Sequence, residues 1–251
     1  MSRIPRKAHY GIDAPLVPLL MALGVLLCVG IAVFGHAPAW WPSAAILAAV
    51  LALFLHASLR GKFVAWRRIL RALAWRGDEQ VLDLGCGRGA VLTMVAACVP
   101  RGRVTGIDIW SSKDQSGNGP RAAADNAAAA GVAGRVALQT ADMRELPFAD
   151  ASFDVVVSSM AIHNIGSTAG RDTAIDQAWR VLRPGGLLLI VDIQHARQYQ
   201  VRLRTLGAAA GRRGLGWGLW WGGPWMSTQL VSARKAGDPG LGGQPPSAPG
   251  R

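Results

Sequence analysis

The stretch Val81-Leu82-Asp83-Leu84-Gly85-Cys86-Gly87-Arg88-Gly89-Ala90 decides how the rest of this 251-residue chain is read. Val81 to Leu84 spells a short apolar strand, and the glycines that follow turn it at once into a helix. Gly85 and Gly87 accept positive φ and let a ligand approach the main chain, while the start of the helix offers N–H groups without intrahelical partners. An adenosine-containing ligand is the first expectation. The loop alone does not choose among nucleotides, dinucleotides and sulfonium nucleosides, all of which use such a turn.

Downstream, apolar strands alternate with helical patterns, as in a parallel sheet covered by helices. Strands are expected at 80–84, 103–109, 135–140, 153–158 and 187–192. Helices are expected at 90–99, before Pro100, at 121–130, before Gly131, and at 173–182. Pro184-Gly185-Gly186 makes a turn into the strand that ends at Asp192. The fold class is α/β, a doubly wound Rossmann-like sheet with its ligand crevice at the carboxyl ends of the strands. The C-terminal third is less regular. Residues 201–206 fit strand or helix, 207–216 are rich in glycine and alanine, and 227–235 look like a final strand. Trp217, Trp220, Trp221 and Trp225 crowd one segment as pocket wall, bilayer contact or core. The tail from Gly237 holds too little apolar area to order itself.

Upstream, residues 14–34 and 39–59 each run 21 positions without Asp, Glu, Lys or Arg. At ~1.5 Å per helical residue, each is long enough to cross ~30 Å of hydrocarbon. Gly35-His36-Ala37-Pro38 joins them, so they form a helical hairpin that returns both ends to one side. Ala37-Pro38-Ala39 resembles a signal-peptide cleavage site, but the apolar run is long for a signal and a second one follows, which favours an anchor. The net charge of +12 is not spread evenly. Residues 1–76 carry nine Lys/Arg against one acid, 77–200 carry eleven against thirteen, and 201–251 carry seven against one. Arg3, Arg6, Lys7, Arg60, Lys62, Arg67, Arg68 and Arg71 flank the apolar runs, where positive residues mark the cytoplasmic face and attract anionic lipid. Membrane lipid is therefore an expected partner and nucleic acid is not. Trp40, Trp41, Trp66 and Trp75 suit the membrane interface, and His56 is expected to pack or snorkel. Residues 61–77 have Phe63, Trp66, Ile69, Leu70 and Leu73 at helical spacing. This is a juxtamembrane amphipathic helix or the first helix of the soluble domain. Cys28, Cys86 and Cys98 show no metal-ligand spacing and read as reduced thiols.

The spacing Gly85-x-Gly87-x-x-Ala90 also satisfies a dinucleotide fingerprint. With Asp83 inside the motif, Gly89 as a third glycine, Asp108 and Asp142 ending the next two strands, and Leu182-Arg183-Pro184-Gly185-Gly186 before a later one, residues 80–192 resemble the class I S-adenosylmethionine-dependent methyltransferases. The resemblance implies S-adenosylmethionine as cofactor. Gly85, Gly87 and Gly89 would face its methionine part, and Asp83 would fix the loop or meet the amino group. Asp108 would accept from the ribose hydroxyls, offering paired acceptors and no donor. Asp142 would accept from the adenine amino group, with Met143 beside the ring. The loop from Trp110 to Asn118 is longer than the family's usual turn, and suits a cofactor cover or a surface loop.

Methyl transfer from a sulfonium depends chiefly on holding the acceptor in line, so a base is needed only if the acceptor must lose a proton. His163, leaving the fourth strand toward the reacting face, is the candidate catalytic residue or a structural histidine, with Asp192 and His195 in reserve. The domain plan is a transmembrane hairpin over 1–60, a juxtamembrane helix over 61–77, a methyltransferase domain over 78–236 and a disordered tail over 237–251. The expected function is methylation of a lipophilic small molecule, such as a quinone precursor, a lipid or a hydrophobic metabolite. The alternatives are a non-catalytic cofactor-binding module of a membrane partner and a nicotinamide oxidoreductase. Nothing in the pattern fixes an oligomeric state.

Overall fold

A computed structural model describes residues 8–111, 115 and 117–237. Arg3, Arg6, Lys7 and the tail beyond Gly237 lie outside the described residues. The chain begins with α1 (Leu16–Phe34) and α2 (Trp41–His56), which pack side by side. Gly24 lets Leu47 approach to 2.7 Å from where a β-carbon would stand. Leu19, Leu20, Leu23, Leu26 and Leu27 on α1 are more than half exposed. A contiguous apolar surface of this kind marks contact with a membrane or a partner. Both helical segments, 16–34 and 38–71, are long and apolar enough to cross a membrane.

The second apolar run does not end where its hydrophobicity does. α2 continues through one π-helical turn, Ala57–Gly61, into α3 (Lys62–Arg71), so one helical rod runs from Pro38 to Arg71. α3 buries Phe63, Ala65, Trp66, Ile69 and Leu70, and the last three join the core beneath the sheet. The amphipathic pattern at 61–77 is thus a first helix of the α/β domain, ending at Arg71, with its apolar face on protein. Lys62, counted above among the lipid-facing charges, is buried.

The α/β domain follows as β1 (Gln80–Leu84), α4 (Ala90–Ala96), β2 (Arg103–Asp108), α5 (Pro120–Ala129), β3 (Val136–Thr140), β4 (Phe153–Ser159), α6 (Thr168–Val181), β5 (Leu182–Asp192), α7 (Ala196–Thr205), β6 (Gly211–Gly214) and β7 (Gln229–Arg234). The sheet order is β3-β2-β1-β4-β5-β7-β6. β1 to β5 are parallel, and β7 runs antiparallel between β5 and β6. Period-2 side-chain alternation gives each central strand two buried faces. Leu82, Val156, Leu188 and Ile190 pack with α6 and α7, whereas Val81, Val155, Val157 and Leu189 pack with α3 and α4. The order reverses at β1, between β2 and β4, which opens a crevice at the strands' carboxyl ends.

Several expected boundaries shift for local reasons. α6 starts at Thr168 because the Ser167 side chain accepts from Gly170 N and caps it. β5 begins at Leu182, with the Pro184-Gly185-Gly186 turn absorbed as an irregularity against β4. Residues 201–205 belong to helix α7, with Leu206 as its C-cap, and its Tyr199 and Leu203 are fully buried at i, i+4 spacing. The four tryptophans divide. Trp221 is core, set edge-on to Phe54 of α2, with its Nε1 donating to Thr228 Oγ1 at 2.9 Å. Trp217 stacks on His56, and Trp225 is 73% exposed. The segment between β6 and β7 therefore docks onto the base of the hairpin.

Gly61 tests this docking. A β-carbon there would lie 1.9 Å from the Gly218 carbonyl oxygen. Gly→Ala in a helix ordinarily gains about 1 kcal/mol, but overpacking against backbone costs about 1–3 kcal/mol. Gly61→Ala is expected to lower Tm by several degrees in detergent micelles; an unchanged or raised Tm would contradict the docking.

Candidate active site

A cavity of about 490 Å³ occupies the crevice. Its walls include Asp83, Gly85, Gly87, Asp108, Asp142 and Met143, six of the seven residues expected to hold the cofactor. The seventh, Gly89, is buried at φ +79° as the N-cap of α4. Gly85 and Gly87 have φ of +70° and +50°. A β-carbon on Gly85 would stand 2.3 Å from the Ala161 β-carbon, and one on Gly87 would stand 2.6 Å from Gln115 Oε1. Conformation thus calls for glycine at both positions, and space calls for it at Gly85 as well.

Asp83 is 1% exposed, and neither carboxylate oxygen has a hydrogen-bond partner of good geometry, the Leu92 backbone giving only a weak contribution. Burial, with the nearby negative charge of Asp108 adding to it, pushes its pKa up to about 8. An orphaned buried carboxyl in a cavity wall is costly unless something else completes it. The residues here fit S-adenosylmethionine, whose ammonium would supply the missing donors. Asp108 is already oriented, because Gly87 N donates to its Oδ2 at 2.8 Å and Trp110 N to its Oδ1 at 2.6 Å. Its carboxylate thereby fixes the loop that it faces. Asp142 is held by Arg144, whose backbone N and guanidinium both donate to it, and this hydrogen bonding lowers its pKa.

Residues from outside the expected motif complete the cavity. Asp13, just before α1, and Lys62, at the start of α3, both line it and form a 2.6 Å ion pair. Ser58 Oγ donates to Asp13 Oδ2 and accepts from Asp13 N. Gln115, from the long loop after β2, accepts from Arg88 N and donates to Tyr10 O and Asp13 Oδ1. That loop therefore folds onto the glycine turn at Gln115; residues 112–114 and 116 lie outside the described set. Tyr10, in turn, shares a hydrogen bond with Thr93 on α4. The segment from His9 to Asp13 is a strap stitched across the glycine loop and leading straight into α1. One signal in the sequence pointed here: Asp13 is the sole acid before Asp78 and directly precedes an apolar run.

His163 does not reach the cavity. Its neighbours Ala161 and Asn164 line the wall, but the imidazole turns to Asp192, with Nδ1 2.5 Å from Oδ1. Asp192 is buried and also accepts from His163 N, Ile193 N and Tyr199 OH. It is a structural hub at the end of β5. His195 is exposed at the N-cap of α7. None of these three lines the cavity, although Ala161, just before the short 3-10 turn at Ile162–Asn164, and Asn164, its last residue, do.

Residues 81–186 match a family model described as a methyltransferase domain. This segment is similar to methyltransferase domains. The chain is 31% identical over 135 residues to the ubiquinone/menaquinone biosynthesis C-methyltransferase of Geotalea daltonii, covering 53% of this chain and 54% of that protein. It is 38% identical over 125 residues to the 27-O-demethylrifamycin SV methyltransferase of Amycolatopsis mediterranei, covering 50% and 42%. The chain thus spans about half the length of these relatives. In fold it is similar to a methyltransferase structure from Methanosarcina mazei, with a TM-score of 0.56 at 20% identity over 68% of this chain and 98% of that one.

The cleft makes a pH-dependent prediction. An acid whose folded pKa is raised to about 8 destabilises the ligand-free fold progressively as pH rises from about 4 toward 8, because the unfolded carboxyl ionises first. Pairing with the cofactor's ammonium restores the ionised form. Binding at pH 7 is therefore expected to release close to one proton, and affinity should rise with pH up to about 8. Calorimetry in two buffers of different ionisation enthalpy measures the release. Asp83→Asn should abolish it; no release from the wild type would contradict the assignment.

Proposed function

We propose that this protein transfers the methyl group of S-adenosylmethionine to a lipophilic small molecule at the cytoplasmic face of a membrane. One observation carries the reading: the two residues that bracket the apolar hairpin, Asp13 and Lys62, both line the cofactor cavity. The cavity therefore opens within a turn or two of helix from where the hairpin would enter hydrocarbon. An acceptor dissolved in the bilayer would need little displacement to reach it. A relative that is a ubiquinone/menaquinone biosynthesis C-methyltransferase supports an acceptor of lipophilic character.

The cofactor supplies a methyl group already activated on sulfur. What the chain adds is placement and exclusion of water. Asp83, Asp108 and Asp142 would hold the amino, ribose and adenine parts, with Met143 against the ring. Ser159, Met160, Ala161 and Asn164 form the wall at the carboxyl end of β4, where the acceptor would lie. Trp66 Nε1 donates to Ser159 Oγ at 2.8 Å and ties that wall to the helix that continues the second apolar run. With His163 turned away, the reading requires an acceptor whose nucleophilic atom needs no histidine base.

The test uses the full chain in liposomes made with a bacterial membrane lipid extract, supplied with methyl-labelled S-adenosylmethionine. Label is expected in the organic-extractable fraction, and none should appear with Asp108→Ala. Label confined to water-soluble products would overturn the lipophilic acceptor. Cofactor binding without any labelled product would favour the regulatory module instead.

A further inference from the structure

We propose that Lys62 is itself a cofactor-binding residue, its ammonium taking the α-carboxylate of S-adenosylmethionine. The inference rests on the cofactor reading above, and it concerns a residue outside the segment that matches the family. Lysine is almost never this buried without a reason. The Lys62 side chain is 8% exposed, and Asp13 Oδ2 is its one hydrogen-bond acceptor among the described residues. An ammonium carries three N–H donors and points them in different directions. One is taken by Asp13; among the described residues the others meet no hydrogen-bond acceptor, and the ammonium lies between the Phe63 ring, 5.5 Å away, and the cavity.

The charges around the cavity select the ligand group. Its walls carry four carboxylates, from Asp13, Asp83, Asp108 and Asp142, and two cations, Lys62 and Arg144. Arg144 is spent on Asp142, which it grips with two guanidinium nitrogens. Lys62 is also paired, with Asp13, but that pairing takes only one of its three donors. S-adenosylmethionine has a single anionic group, the carboxylate at the end of its methionine part.

Position agrees with charge. A hydrogen-bonded path runs from the glycine loop at Arg88 N to Gln115, to Asp13 and to Lys62. Lys62 therefore belongs to the glycine-loop end of the cavity, whereas Asp142 and Met143 stand beyond the ends of β3. Asp13, itself bound by Ser58, holds it there, and neither can replace it as a donor of positive charge. The consequence is that the helix continuing the second apolar run reads the far end of the cofactor directly.

Two ligands separate the claim from mere structural damage: S-adenosylhomocysteine, which has the amino-acid part, and 5′-methylthioadenosine, which lacks it. Titration of the full chain in micelles should show Lys62→Met weakening S-adenosylhomocysteine by about 10- to 100-fold, the scale of a charge-assisted hydrogen bond. Methylthioadenosine affinity should stay within about twofold, which also shows that the variant is folded. Lys62→Arg should recover part of the loss. Equal loss for both ligands, or no loss for either, overturns the proposal while leaving the cofactor reading in place. A wild type that binds neither ligand overturns both.

Discussion

The structure depends on one uninterrupted helical rod, Pro38 to Arg71. Its first half is apolar and exposed, and its second half buries Trp66, Ile69 and Leu70 beneath the sheet. The backbone hydrogen bonds of a helix do not permit an independent hinge between the halves without breaking several of them. The single π-helical turn at Ala57–Gly61 is where the rod meets its other partners. Ser58 binds Asp13, Gly61 admits the Gly218 carbonyl, and Lys62 opens the next turn toward the cofactor. Orientation of the hairpin thereby fixes orientation of the cleft.

Within the cleft, the governing term is an excess of carboxylates in a poorly solvated place. Asp83 responds by holding its proton, whereas Asp108 is satisfied by two backbone donors and Asp142 by Arg144. The three acids differ in what has been left for a ligand to supply. The site is prepared for a cation near Asp83 and for an anion near Lys62, the pattern of an amino acid's two charged ends. The strap from His9 to Asp13 closes over this arrangement, with Asn126 accepting from His9 N and donating to His9 O.

The sheet was legible because its strands are short, apolar and separated by glycine or proline, so that five strands fall within a residue or two of their expected limits, β5 aside. The cofactor loop was legible because glycine's positive φ has few substitutes. The rest depended on contacts between residues far apart in the chain. Asp13 and Lys62 are 49 positions apart, and only the return of the hairpin brings them together. Local pattern assigned Lys62 to lipid for its place beside an apolar run, and it could not show that the run continues as a buried helix. His163 misled for a related reason. Its distance from β4 in sequence suits the reacting face, but the short 3-10 turn that follows points the ring at Asp192. Trp217 to Trp225 were unreadable because their partners, Phe54 and His56, sit more than 150 residues earlier.

The central claim is that the glycine loop, the strap and the base of the hairpin form one cofactor-binding unit. Hydrogen exchange of the full chain in micelles, with and without S-adenosylhomocysteine, tests it most directly. The account predicts that the ligand slows exchange together in residues 83–89, in the strap at 9–13 and in the turn at 58–62. Slowing confined to the loop and the strand ends, with the strap and the turn unchanged, would contradict it.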